Sequence, residues 1–160
     1  MRAADPRKKL RPMMASDLPR VIAIEAASYP APWSAKTFED CLAAEAKGYR
    51  CYVLLLDELV VGYAVLTVIL DEAELLNFCL GPEHRGRGKA GAYLDQLLTK
   101  LQQQGVQKLF LEVRQSNTPA RRLYTAAGMQ EVGLRKDYYP ANWGREDAVL
   151  MAGSLRLKMS

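Results

Sequence analysis

The sequence predicts a mixed α/β fold in which helices flank one central sheet. Runs rich in β-branched and apolar residues alternate with helical patterns along the chain, which is typical of this class. A length of 160 residues with 49% hydrophobic side chains suffices for one well-buried core and is short for two. We therefore expect a single domain over residues 9–156, preceded by a disordered basic leader over residues 1–8.

The individual elements can be placed from their periodicity and from the residues at their boundaries. Ser16 would cap a first helix over Asp17–Ala27, and Ser34 would cap a second helix that reaches about Ala46. Asp57-Glu58 lies between two strand-like runs and predicts an antiparallel hairpin, although its turn lacks glycine. The other expected elements are the strands Lys9–Met13, Tyr49–Leu56, Leu59–Leu70, Ala73–Leu80, Lys108–Val113, Gln130–Tyr138 and Asp147–Ser154, and the helices Gly88–Gln104 and Pro119–Ala127.

Charge, hydropathy and cysteine content exclude several functional classes. The net charge of +4 fits an ordinary mildly basic protein, and also one that works near polyanions such as ribosomal RNA or CoA phosphates; direct nucleic-acid binding is not expected. No run approaches the roughly 20 apolar residues that span a bilayer, and the N-terminus lacks the apolar core of a secretion signal. We expect a soluble, cytoplasmic protein without stable membrane association. Three dispersed cysteines and one histidine, His84, favour reduced thiols and exclude a metal centre or a histidine-based triad.

A turn rich in glycine and basic residues spans Arg85–Ala90, directly after an apolar strand and directly before a helical pattern. Backbone N–H groups in such a position can converge on an anion at a helix N-terminus, where the helix dipole adds to the attraction. Glycines permit close approach, and basic side chains supply charge. A solvated loop fits the turn alone equally well, but the apolar stripe of the following helix anchors its first turn. The motifs of P-loop and dinucleotide-binding proteins are absent.

This turn carries a resemblance to a known family. Arg85-x-x-Gly88-x-Ala90 resembles the Gln/Arg-x-x-Gly-x-Gly/Ala signature of the GNAT (Gcn5-related) N-acetyltransferases, whose loop binds the pyrophosphate of acetyl-CoA. Other segments resemble the RimI branch of this family, which contains ribosomal-protein alanine N-acetyltransferases; they are Pro32-Trp33-Ser34, Leu70–Ala73, Leu111–Arg114 with Ser116-Asn117, Leu123-Tyr124 with Gly128, Arg135 with Tyr138-Tyr139-Pro140, and Gly144–Ala148. The resemblance extends over nearly the whole chain.

The resemblance implies a fold, a co-substrate and a binding site. The GNAT fold has a mixed, mostly antiparallel sheet whose fourth and fifth strands splay apart to receive the pantetheine arm of acetyl-CoA, and no metal is implied. Phe78, Cys79 and Leu80 fit ordinary core strand residues equally well, and Asn117 fits a turn before a helix. The residues implied to bind acetyl-CoA are Phe78, Cys79, Leu80, Arg85, Gly86, Arg87, Gly88, Lys89, Ala90, Gly91 and Asn117.

Acetyl transfer from a thioester to an amine needs a base for the ammonium and an acid for the departing thiolate. Glu112 is the candidate base, because a carboxylate inside an apolar strand is costly unless it faces a cavity; an ion pair with Arg114 is the alternative. Tyr124 is the candidate acid, with a plain core aromatic as the alternative. The RimI pattern places its base and acid at these two positions. Glu72 and Glu74 remain reserve bases, since other GNAT enzymes use a glutamate of the fourth strand.

The expected function is transfer of acetyl from acetyl-CoA to a protein N-terminus, most specifically to the N-terminal alanine of small-subunit ribosomal protein number eighteen, which would be the acceptor partner. Trp33, Tyr138 and Tyr139 would form walls of the acceptor site. Glu72 and Glu74 would pair with arginines of the acceptor. Two alternatives stay open: a GNAT enzyme that acetylates lysine side chains or small amines, and a non-catalytic acyl-CoA-sensing or ribosome-associated module.

Overall fold

One seven-stranded sheet organises the residues that the computed structural model describes, which are 5–86 and 88–155. Its strands are β1 (Lys8–Pro12), β2 (Tyr49–Leu56), β3 (Leu59–Ile69), β4 (Glu72–Leu80), β5 (Lys108–Arg114), β6 (Gln130–Ala141) and β7 (Gly144–Ser154). The helices are α1 (Leu18–Ser28), α2 (Ala35–Ala43), α3 (Lys89–Gln103) and α4 (Thr118–Ala126). The strand order is β1-β2-β3-β4-β5-β7-β6, and every neighbouring pair is antiparallel except β4 and β5. The predicted α/β class with a mixed, mostly antiparallel sheet is confirmed.

The helices cover the two faces of the sheet in pairs. Apolar side chains of α3 and α4, among them Leu97 and Tyr124, pack with strand residues into the largest core cluster. Those of α1 and α2, among them Val21 and Phe38, pack against β2, β3 and β4 on the other face. No helix among the described residues is long and apolar enough to cross a membrane.

Most boundaries fall within a few residues of the predicted ones, and two local predictions have clear outcomes. Ser34 caps α2 as predicted, since its hydroxyl accepts a hydrogen bond from the Thr37 N–H at 3.2 Å. The prediction that Ser16 caps the first helix is wrong. A 3-10 turn over Ala15–Asp17 precedes α1, and Asp17 holds this turn by accepting the Met14 N–H at 2.8 Å. Asp17 is the N-cap residue of α1, but its side chain makes no cap hydrogen bond to that helix.

Part of the N-terminal segment belongs to the first strand of the sheet. Lys8 lies in β1, so it does not belong to the leader expected over residues 1–8. Asp5 to Arg7 form a turn in which the Asp5 carboxylate accepts hydrogen bonds from the backbone and side chain of Arg7. Residues 1–4 and residue 156, the last of the expected domain, lie outside the described residues.

The hairpin expected around Asp57-Glu58 is present without a glycine. Both residues adopt left-handed backbone angles, with φ of 50° and 67°, as a two-residue primed turn requires. Aspartate tolerates this region better than most residues, and the long paired strands β2 and β3 hold the turn in place.

The sheet opens between β4 and β5. The two strands pair only from Glu72↔Lys108 to Leu75↔Leu111, and Leu76–Leu80 have no partner in β5. A bulge lies at this point, because Leu75 opposes Leu66 and Asn77 opposes Val65, which leaves Leu76 without an opposite residue in β3. The extra residue bends β4 where the pairing ends. The splay predicted for the fourth and fifth strands is therefore confirmed.

Candidate active site

The opening between β4 and β5 forms the arm cleft, defined here by Leu76–Leu80 on one side and Glu112–Arg114 on the other. On the β4 side the Cys79 and Leu80 side chains are 3% and 4% exposed and pack into the core. The Phe78 side chain is half-buried against the α3 face. Backbone groups of β4, and not these side chains, therefore remain for an extended ligand, as in the addition of a strand to a sheet edge.

The basic turn leads from the arm cleft into α3. Gly86 and Gly88 have positive φ of 77° and 72°, and a Cβ at either position would meet no atom within 4 Å, so the backbone is bare toward solvent. Gly88 is the N-cap of α3, and no side chain of the described residues caps the N–H groups of its first turn, which carries Lys89, Ala90 and Gly91. This arrangement suits an anion. Arg87 lies outside the described residues.

Arg85 lies at the junction of the turn and the strand. Its Nε donates to the Leu80 carbonyl at 2.8 Å and its Nη2 to the Cys79 sulfur at 3.5 Å. The side chain thus holds the start of the turn against the end of β4, which was not foreseen from the sequence. Gly91 faces α4, since a Cβ there would lie 4.0 Å from Leu123 Cδ1.

The N-terminus of α4 lies beyond the β5 end of the arm cleft. Asn117 is the N-cap of this helix, and its Oδ1 accepts the Ala120 N–H at 3.2 Å, which leaves its amide group for a ligand. The Tyr124 side chain is 7% exposed in the core between α4 and the sheet. Burial raises the pKa of Tyr124, with added repulsion from Cys79 and Tyr139, so its hydroxyl is protonated at neutral pH.

Glu112 lies on β5 with 20% of its side chain exposed, and its Oε1 is 3.0 Å from Arg135 Nη2 of β6. The expected alternative, a pair with Arg114, is wrong, since Arg114 bonds to Glu146 of β7 at 3.0 Å. Strand β7 lies between β5 and β6, so Arg114 and Arg135 both lie opposite Ala148. From this position Arg135 reaches Glu112 across β7. A small residue at this position leaves room for side chains from both strands.

The β6–β7 hairpin extends further than predicted on both strands and presents the tyrosine pair. Tyr138 and Tyr139 form an edge-to-face pair with centroids 4.9 Å apart, Arg135 lies over the first ring, and Arg114 lies over the second. Burial, followed by the nearby Glu112 carboxylate, raises the pKa of Tyr139 to about 12. The pair therefore lies beside Glu112.

A buried carboxylate fastens this hairpin to the β5–α4 connection. Glu146 is 8% exposed and accepts hydrogen bonds from Arg114, from the Ser116 backbone and from the Ser116 hydroxyl at 3.0 to 3.1 Å. Arg114 also donates to the Pro140 carbonyl at 2.8 Å. Partial burial acts to raise the pKa of Glu146, but the hydrogen bonds from Arg114 and Ser116 outweigh it and hold this pKa below its usual range.

The opposite wall comes from the segment between α1 and α2. Trp33 is half-buried and its ring packs 5.3 Å from that of Phe38. Its backbone N–H donates at 2.8 Å to the carboxylate of Glu25, a residue of α1 that is only 2% exposed. Trp33 is thus placed by a side chain eight residues earlier.

Glu72 and Glu74 are exposed on β4 in the part that still pairs with β5. Glu74 is paired with Phe110, which lies two residues before Glu112 and therefore on the same face of β5. These carboxylates extend the negative charge of Glu112 along one open face of the sheet.

The buried carboxylates Glu25 and Glu146 were missed in the sequence, although one of them had a signal. Leu18, Val21, Ile22 and Glu25 follow the i, i+3, i+4, i+7 spacing of a single helical stripe. A glutamate on an apolar stripe indicates a buried carboxylate with partners elsewhere in the chain. Glu146 lies beside other charged residues in Gly144–Asp147 and carried no such signal.

Together these residues form an open cleft beside β4 that leads into a glycine-rich turn at the start of α3, and Glu112 of β5 and the protonated Tyr124 of α4 are the predicted base and acid. Such an arrangement can hold an acyl thioester and supply a base and an acid to an incoming amine.

Comparison with known proteins agrees with this arrangement. The sequence model of the acetyltransferase (GNAT) family matches residues 18–129. The chain is 38% identical over 137 residues to the [ribosomal protein bS18]-alanine N-acetyltransferase of Escherichia coli K12, which covers 86% of this chain and 90% of that relative. It is 39% identical over 139 residues to the enzyme of the same name from Haemophilus influenzae, covering 86% and 92%. The crystal structure of the ribosomal-protein-S18-alanine N-acetyltransferase from Escherichia coli superposes with a TM-score of 0.85 at 34% identity, covering 96% and 97% of the two chains.

Proposed function

This chain belongs to the GNAT acetyltransferase family, and from that premise we propose that it transfers the acetyl group of acetyl-CoA to the α-amine of the N-terminal alanine of ribosomal protein bS18. The observation that carries the proposal is the 38% identity, over 86% of the chain, to an enzyme named for this reaction. We place the reaction in the cytoplasm, where ribosomal proteins are made.

The arm cleft and the basic turn fit acetyl-CoA as a substrate. The backbone of Phe78, Cys79 and Leu80, which has no partner in β5, would hold the pantetheine arm, and the Asn117 amide would bond to it. The uncapped first turn of α3, with the bare backbone of Gly86 and Gly88, would receive the pyrophosphate. Arg85, Lys89 and the residues around them in the turn would add charge at its rim. Acetyl-CoA supplies an activated acyl group with a thiolate as its leaving group.

Glu112 and Tyr124 would carry the proton transfers. Glu112 accepts a proton from the acceptor ammonium, directly or through one water, and the freed amine attacks the thioester carbonyl. The new C–N bond forms as the C–S bond breaks, and Tyr124 donates its proton to the departing thiolate. Burial raises the pKa of Tyr124, so its hydroxyl carries a proton at neutral pH, as a proton donor must, but this shift does not make it a stronger acid. The attacking nitrogen loses its second proton as the amide forms; water carries this proton to the Tyr124 phenolate, and Glu112 releases its proton to solvent.

The acceptor would enter between the two walls. Trp33 lies on one side, Tyr138 and Tyr139 lie on the other, and Glu112 lies on the strand between them. The exposed carboxylates of Glu72 and Glu74 would attract a basic acceptor segment. An α-amine, with a pKa of about 8, offers far more neutral amine at pH 7 than a lysine with a pKa of about 10.4, which favours a protein N-terminus.

The proposal is tested on bS18 that is purified from cells. Intact bS18 is purified from cells that lack this chain and from the same cells that express it again, and the two masses are compared. We expect the deletion to remove the mass of one acetyl group from bS18, and expression of the intact chain to restore it. An unchanged bS18 mass would refute this acceptor. A purified protein that binds acetyl-CoA without turnover on any amine would instead identify a non-catalytic acyl-CoA sensor.

A further inference from the structure

Glu25 is a carboxylate buried in the core on the α1 side of the sheet, with 2% exposure. Its Oε1 accepts hydrogen bonds from the Tyr63 hydroxyl and from Asn77 Nδ2, the latter at 2.8 Å, and its Oε2 accepts the Trp33 N–H at 2.8 Å. No basic side chain within residues 5–86 and 88–155 contacts it. The charge is therefore balanced by three neutral donors alone.

Such a group is expensive to bury. An apolar side chain of similar size would usually stabilise the core as well or better, because a carboxylate loses its hydration and regains only part of it from hydrogen bonds. Asp17 shows the more usual solution in the same protein. It is 7% exposed but pairs with the Arg11 guanidinium at 2.7 and 2.9 Å.

The three donors to Glu25 come from different parts of the site. Trp33 belongs to the acceptor wall between α1 and α2, and Tyr63 belongs to the central strand β3. Asn77 immediately follows the bulge at which β4 leaves β5, so it belongs to the wall of the arm cleft. One carboxylate thus joins the acceptor wall to the strand that borders the arm cleft.

Two further contacts lie in the same region, where α1 and the segment after it pack on β4; this region is called the seam below. The Tyr29 hydroxyl lies 3.5 Å from Asn77 Oδ1, and the Cys79 thiol donates to the Ser28 hydroxyl at 3.3 Å. The end of α1 and the wall that follows it are therefore held to β4 at consecutive inward-facing positions of that strand.

We propose that Glu25 is a positioning residue that holds the acceptor wall at Trp33 in a fixed place relative to the arm cleft. The incoming amine then reaches the thioester carbonyl in the orientation that attack requires. The proposal rests on the acetyl transfer proposed above. Glu25 does not touch the reacting atoms and acts through Trp33 and Asn77.

The carboxylate is required because it only accepts hydrogen bonds. A glutamine at this position has the same shape, but one of its two terminal atoms is a donor. With its NH2 group toward Trp33 the variant sets two donors against each other, and with its NH2 group on the other side both the Tyr63 hydroxyl and the Asn77 amide must reverse their hydrogen bonds. Glu25→Gln therefore weakens one side of the seam while it preserves the packing.

The test compares Glu25→Gln with Asp17→Asn, a buried carboxylate near the start of the same helix that contacts neither wall. We expect Glu25→Gln to raise the KM for a peptide acceptor about 10- to 100-fold, the range for a lost hydrogen bond to a charged group, with the Kd for acetyl-CoA within about threefold of wild type. Asp17→Asn should lower Tm and leave both constants unchanged.

Hydrogen exchange of the Trp33 backbone amide gives a second readout that needs no acceptor. The exchange should accelerate in Glu25→Gln and stay at the wild-type rate in Asp17→Asn. If wild type proves inactive on N-terminal peptides, the proposed function fails, and the exchange result alone still decides whether Glu25 orders this wall. A Glu25→Gln variant with wild-type peptide KM, or with unchanged Trp33 exchange, would overturn the positioning role.

Discussion

The proposed acetyl-CoA side and the proposed acceptor side of the site are built in different ways. The former consists of backbone: the unpaired end of β4, two bare glycines and the uncapped first turn of α3. The latter consists of side chains fixed by two buried carboxylates, Glu25 and Glu146. A backbone site accepts any ligand with the right polar spacing, whereas a side-chain site can select. We therefore propose that the side built of backbone binds the shared co-substrate and that the side built of side chains selects the acceptor.

The largest effect on CoA binding is expected from a negative charge placed in the basic turn. Ala90→Asp places a carboxylate among the N–H groups of the first turn of α3, where it repels a pyrophosphate and occupies its place. We expect calorimetry to show loss of CoA binding, by at least about 100-fold, with the circular dichroism spectrum retained. Gln103→Asp adds the same charge in the last turn of α3 and should bind CoA normally. Equal affinity in the two variants would remove the turn from the site.

Glu112 and Tyr124 are the proposed base and acid, so their loss should affect turnover and not binding. Glu112→Gln should lower kcat roughly 10²–10⁴-fold, the usual loss for a general base, and Tyr124→Phe should act mainly on kcat as well. Steady-state kinetics from pH 6 to 9 with a CoA titration separate the two effects. Glu74→Gln, on the neighbouring strand, is the control and should keep the wild-type kcat, with any loss confined to the KM for the acceptor. Near-normal rates in both site variants would return Glu72 and Glu74 as the candidate bases.

Glu146→Gln should have a smaller effect that is confined to the acceptor side. It weakens the tie between the β6–β7 hairpin and Ser116, so we expect the peptide KM to rise roughly tenfold and the Kd for CoA to stay constant. Glu131 lies on the same hairpin, and Glu131→Gln, which breaks its exposed ion pair with Arg121 of α4, should change neither. Identical kinetics in the two variants would contradict a role for Glu146 in the acceptor wall.

The effect of Glu146→Gln on stability should depend on pH. The pKa of Glu146 is lowered in the folded protein, so its contribution to stability is fully present above the unfolded pKa of about 4.3 and is lost as pH falls through the folded pKa. The Tm difference between wild type and Glu146→Gln should therefore be largest near neutral pH and shrink below about pH 4. A difference that stays constant on acidification would contradict the depressed pKa.

The contrast between the two sides also explains what the sequence could predict. The basic turn, the Ser34 cap and the hairpin at Asp57-Glu58 depend on residues close together in the chain, so local patterns locate them. The splay was predicted from the family resemblance, and the bulge at Leu76 that accompanies it has no local signal.

The acceptor side could not be predicted in the same way, because its contacts join distant residues. Glu25 and Asn77 are 52 positions apart, and Arg114 and Glu146 are 32 apart. Local reasoning paired Glu112 with Arg114, whereas strand order determines that Arg135 reaches Glu112 across β7. The Ser16 error has a local cause, since a 3-10 turn held by Asp17 precedes α1. The assignments of Glu112, Tyr124 and the acetyl-CoA residues stay predictions.

The central claim, that this protein acetylates an N-terminal α-amine, is tested most directly by product mapping on one basic peptide. The peptide begins Ala-Arg, carries internal lysines, and is offered to the enzyme with acetyl-CoA in two forms, with its N-terminus free or blocked. Tandem mass spectrometry should find a single acetyl group on the first residue of the free form and none on the blocked form, because the α-amine is the better nucleophile at neutral pH and the walls admit a chain end. Acetyl-lysine as the main product, or equal acetylation of the blocked peptide, would contradict the account.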